Sequence, residues 1–138
     1  SYCLLRLPPI YQNLYCVDQK NLDDEGEFYG IDAEDAGLAI SHILTDPELH
    51  RGEEYTIYNP AGITSSTLKT VQSQLSRLHG TPLQTPEIII ESIKSKYWQQ
   101  EHENDFARIT GGEEMTSFEE FLRRTHQSLF HQRFMSRN

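Results

Sequence analysis

Asp32 and Asp35, two carboxylates three positions apart, come nearest in type and spacing to a catalytic arrangement in this chain. Paired carboxylates can divide acid and base roles or hold a hard metal ion. The same spacing also starts a helix. Asp32 can accept from the free amides of a first turn, and Asp35 stands at the third position of a capping box. Capping accounts for both residues, so neither is assigned a catalytic role. The six histidines, His42, His50, His79, His102, His126 and His131, include no His-x-x-x-His pair on one helical face, and nearly all read as surface residues. Cys3 and Cys16 are the only cysteines and lack a metal or redox spacing, which points to a reduced, cytoplasmic setting. No Gly-x-Ser-x-Gly elbow occurs, and the one adjacent glycine pair, Gly111-Gly112, lacks the strand-to-helix context of a phosphate loop.

The elements that would position these residues alternate between short strands and helices. Tyr2-Cys3-Leu4-Leu5-Arg6-Leu7 is an apolar run stopped by Pro8-Pro9, and it reads as a strand buried on both faces that needs neighbours on its edges. Residues 10–17 fit a short helix with Leu14 and Val17 facing inward, and residues 20–27 a polar loop. Residues 27–31 fit a short strand. Asp32 then opens a helix with Ala36, Ala39, Ile40, Ile43 and Leu44 on one face, closed by Asp46-Pro47.

Residues 54–58 alternate as a half-buried strand, and Asn59-Pro60-Ala61-Gly62 is turn chemistry. Thr64 or Ser65 can cap a helix carrying Leu68, Val71, Leu75 and Leu78, with Gly80 at its C-terminal cap. In residues 86–100 the run Ile88-Ile89-Ile90 favours a strand while Ile89, Ile93, Lys96 and Tyr97 fit a helix, and helix after Pro86 is the preferred reading; residues 101–105 read as charged and exposed. Thr116 with Glu119, or Ser117 with Glu120, makes a capping box before Phe118, Phe121, Leu122, Thr125 and Leu129. The expected organisation is one unit over residues 1–131 and a frayed tail over 132–138.

With 12 Lys and Arg against 21 Asp and Glu, the net charge is −9, and such a field repels phosphate backbones and anionic lipid. Neither a nucleic acid nor a membrane is an expected partner. No apolar run approaches the ~20 residues a membrane helix needs.

Three stretches resemble the NmrA-like branch of the atypical short-chain dehydrogenases. The first is Arg6-Leu7-Pro8-Pro9-Ile10-Tyr11-Gln12-Asn13, which keeps the family's arginine-to-asparagine spacing, with Leu7 in place of the usual proline. The second runs from Gly30-Ile31-Asp32 to Ile43-Leu44. The third is Asp105-Phe106 through Thr110-Gly111, followed by Ser117-Phe118-Glu119-Glu120-Phe121. The resemblance implies an α/β chain forming the C-terminal, substrate-side part of a Rossmann-like fold. It also implies that Pro8, Pro9, Ile10, Tyr11 and Asn13 face the cofactor or substrate, and that Phe106, Phe118 and Phe121 dock the last helix.

The glycine-rich turn that holds a dinucleotide pyrophosphate is absent, as is a Tyr-x-x-x-Lys pair. NAD(P) is therefore expected in a full-length parent and not in this chain alone. The expected partner is a dinucleotide-binding half preceding this segment. A non-catalytic interaction module that pairs its strand edge with another protein chain is the rival reading. Either way, an uncovered strand predicts self-association or marginal stability.

Overall fold

A computed structural model describes residues 2–16, 27–79, 88, 91 and 93–135. The expected loop over residues 20–27, apart from Glu27, lies outside them, as do Val17 and Gly80. The apolar start forms β1 (Leu4–Arg6), which pairs in parallel with β3 (Glu54–Thr56) in the register Leu4 to Glu54, Leu5 to Tyr55 and Arg6 to Thr56. A parallel pair needs a crossover, and the chain between them carries α1 (Ala33–Thr45). β2 (Glu27–Phe28) pairs antiparallel with β4 (Ile63–Thr64). Among the described residues further helices are α2 (Ser65–His79), α3 (Phe106–Thr110) and α4 (Phe118–Met135). The chain is thus mixed α/β. Among the described residues no helix is long and apolar enough to cross a membrane.

Beyond β1 and β3 the two strands continue on either side of Gly30-Ile31. Ile31 donates to the Pro9 carbonyl and accepts from the Tyr11 amide, while Gly30 accepts from the Asn59 amide. A side chain at position 30 has no room here: a Cβ would lie 2.8 Å from the Tyr11 ring and 2.9 Å from the Phe28 ring. The residues expected as a strand over 27–31 are therefore divided between β2 and this bridging segment.

The helix starts follow the capping chemistry of the sequence, with one correction. Asp32, in extended backbone, accepts from the Glu34 amide at 3.1 Å and caps α1. Asp35 does not complete a capping box. Its carboxylate instead turns outward from α1 to Thr116. Thr64 caps α2 by accepting from the Thr67 amide, and Ser117 caps α4 by accepting from the Glu120 amide. α4 continues through Met135, past the boundary at which fraying was expected.

The core has two parts. Tyr11, Leu14 and Phe28 pack with Ile63, Leu68, Val71, Phe118 and Phe121 beneath α2 and α4. Ile31, Ala36, Ala39, Tyr55 and Ile57 pack with Phe106 and Ile109 between α1, the β1–β3 pair and α3. Phe106 therefore does not join Phe118 and Phe121 in docking the last helix. On α1 the two alanines form the contact, while Ile40 and Leu44 are exposed. Small side chains allow close approach and shift the buried face toward Asp35, Ala36 and Ala39.

Three other expectations are corrected. β1 is not buried on both faces, since Tyr2, Leu4 and Leu7 are exposed. Of the helix expected over 86–100, residues 88, 91 and 93 are helical, but it does not run unbroken: Ser95 is extended, and Lys96–Gln99 forms a separate 3-10 turn. Residues 101–105 are not uniformly exposed, because Asp105 is buried where it bonds the β3 backbone. Among the described histidines His50 is the buried exception, with Nδ1 2.7 Å from the Tyr55 hydroxyl.

Candidate functional site

The loop after β1 carries the residues expected to face a cofactor. Pro8 and Pro9 are buried, Ile10 and Asn13 are half-buried, and Tyr11 is fully buried. Ile10 pairs with Ile31, and a 3-10 turn spans Tyr11–Cys16, where the short helix over 10–17 was expected. The Tyr11 ring meets Phe118 edge-on, with centroids 5.1 Å apart, and Phe121 at 5.3 Å. Burial, with the Asp35 and Asp32 charges nearby, pushes the Tyr11 phenol above its usual range and keeps it protonated. Tyr11 thus serves as a core ring in this chain.

Gln12 is the loop residue that reaches the aspartates. Its side-chain nitrogen donates to Asp32 at 2.8 Å, and its side-chain oxygen accepts from the Ala33 amide at 3.1 Å. Sequence reading missed it, because a lone glutamine 20 positions from its partner has no spacing signature. Arg124 of α4 closes the other side and donates to both Asp32 and Glu34. Asp35 accepts the Thr116 amide at 2.7 Å and the Thr116 hydroxyl at 3.0 Å. Desolvation raises the Asp35 pKa, opposed by the Thr116 hydrogen bonds and by Arg124 and reinforced by Asp32.

These carboxylates face amides, a guanidinium and a hydroxyl, and this arrangement ties the loop after β1, α1 and α4 together. Among the described residues no group of three His, Cys, Asp or Glu side chains is placed to hold a metal ion. The network's chemical capacity is to fix charge and orientation.

The β1–β3 pair has two unlike edges. On the outer side of β3 the Thr56 amide donates to Asp105 Oδ2 at 2.9 Å, and the Asp105 amide donates back to the Thr56 carbonyl. That edge is closed. On β1 the Leu4 amide and the carbonyls of Tyr2 and Arg6 face β3 and the segment before and after it. Backbone groups alternate along a strand, so those of Cys3, Leu5 and Leu7 point to the opposite edge, where no strand pairs among the described residues.

A pocket of about 420 Å³ opens beside the C-terminal continuation of β3, lined by Tyr29, Tyr58, Pro60 and residues 99–102 and 104. Tyr58 holds its far wall by donating to the His102 carbonyl and accepting from the His102 amide. His102 stacks on Tyr97 at 4.1 Å, with Nε2 2.6 Å from the Tyr97 carbonyl. Gln99 anchors the same segment to the Glu27 carbonyl. None of Pro8, Pro9, Ile10, Tyr11 or Asn13 lines this pocket. Compared with known proteins, the chain matches no family model, no curated protein and no solved structure.

Proposed function

We propose that this chain is the substrate-side segment of an NmrA-like NAD(P)-binding protein, a reductase or a redox-responsive regulator, and is not catalytic on its own. The observation that carries the reading is the asymmetry of the β1–β3 pair, occupied at Thr56 by Asp105 on one edge and, among the described residues, unpaired along Cys3, Leu5 and Leu7 on the other. Parallel sheets are normally larger and covered on both faces, so a parallel pair with one free edge fits as the end of a longer sheet. The loop starting at Pro8 and the turn at Tyr58-Asn59 both follow the C-terminal ends of parallel strands. Ligands of open α/β sheets bind at that end. In this reading the preceding half supplies the glycine turn and the pyrophosphate contacts, and this chain supplies one wall of the cleft.

The exposed Tyr2, Leu4 and Leu7 favour a second reading, in which the same edge receives a strand from another protein. Calorimetric titration of NADH and NADPH into this chain, and into a form extended at its N-terminus by the parent's own sequence, separates the two. The first reading expects no binding to the chain alone and stoichiometric binding to the extended form. No binding to either leaves the interaction module.

A further inference from the structure

The pocket beside Tyr58 has a size suited to a small molecule, within the ~300–1,000 Å³ usual for such sites. Its charge and ring content narrow what it can hold. Among the described residues neither lysine nor arginine lines it, whereas Glu101 does. The Tyr29 hydroxyl donates to the Glu27 carboxylate at 2.6 Å, which sets a second negative charge against that ring. The rings of Tyr29 and Tyr58 meet edge to face at 6.3 Å and form an aromatic corner, and His102 stands perpendicular to Tyr58 at 6.0 Å. An anionic ligand would meet the Glu101 carboxylate with no lysine or arginine among the described lining residues, in a chain of net charge −9. A cation gains from the negative ring faces and from Glu101 together.

We infer that this pocket binds a small organic cation with an apolar body, of the arylalkylammonium class, seated against Tyr29 and Tyr58 with Glu101 as its counter-charge. Its walls disfavour phosphate, so the pocket is not where a pyrophosphate would sit, even though Tyr58 lies at the strand end that borders the proposed cleft. The inference stands whether or not the dinucleotide reading holds.

Trp98, the only tryptophan of the chain, is buried with its ring 5.7 Å from Tyr58 and reports on the pocket by its emission. Titration with benzyltrimethylammonium should give a saturable change, and phenylacetate should give none. Tyr29→Ala should weaken binding about tenfold, whereas Tyr29→Phe, which keeps the ring, should retain it. Glu101→Gln, at an exposed position, should weaken binding several-fold and flatten its salt dependence. The inference is overturned if the cation gives no saturable change or phenylacetate binds as tightly. It is equally overturned if folded Tyr29→Ala and Glu101→Gln, checked by circular dichroism, both keep the parent affinity.

Discussion

The Asp35 carboxylate takes both the amide and the hydroxyl of Thr116, 81 positions away, and so joins α1 to the turn ahead of α4. Hydrogen bonds to charged groups stabilise by about 1.5–3 kcal/mol each, and these two share one buried acceptor. Asp35→Ala should therefore cost about 2–4 kcal/mol in chemical denaturation. Asp35→Asn, which keeps one acceptor oxygen, should cost less.

The raised Asp35 pKa gives this contribution a definite pH dependence. Because the folded-state value lies above the unfolded one, the folded form takes up the proton first as pH falls. Asp35's contribution is weakest above its folded pKa and rises through the acid window down toward the unfolded value. The stability difference between the parent and Asp35→Asn, measured over a pH series, should shift in the parent's favour on acidification. A difference independent of pH would contradict this.

Arg124 and Arg123 are adjacent on α4 but differ in what they hold. Arg124 meets the buried Asp32, and removing the guanidinium leaves that carboxylate with Gln12 and the Glu34 amide alone. Arg124→Met should cost about 1–3 kcal/mol, a discounted value because the arginine is itself partly exposed. Among the described residues Arg123 pairs with exposed neighbours, and Arg123→Met should leave stability close to the parent's. Parallel urea titrations of the two variants check the contrast.

Gly30 sits where three parts of the fold meet, and Gly30→Ala would push a methyl into the Tyr11 and Phe28 rings. Overpacking of this kind costs about 1–3 kcal/mol, so thermal unfolding of the variant should begin at visibly lower temperature. An unchanged Tm would mean that the Tyr11 ring can move aside.

The parts of this fold legible in the sequence are those set by local chemistry. Asp32, Thr64 and Ser117 cap helices because short polar side chains reach first-turn amides within a few positions. What was not legible depends on residues far apart in sequence. Asp35 has the spacing of a capping box, yet Thr116 offers it a buried amide and hydroxyl that a local reading cannot see. Asp105 reads as an exposed charge until β3 presents an unpaired amide to it. The contacts of the Tyr11 ring with Phe118 and Phe121 likewise join residues more than 100 positions apart. The pocket was missed because Tyr29, Tyr58 and Glu101 share no motif.

Hydrogen exchange along β1 tests most directly whether its open edge is where a further strand attaches. In this chain alone the Leu4 amide, bonded to the Glu53 carbonyl, should exchange slowly, and the amides of Cys3, Leu5 and Leu7 should exchange fast. In a form extended at its N-terminus by the parent's own sequence, the amides of Cys3 and Leu5 should become protected to the level of Leu4. Equal, fast exchange of Cys3 and Leu5 in both forms would contradict the proposal that β1 is an inner strand of a longer parallel sheet.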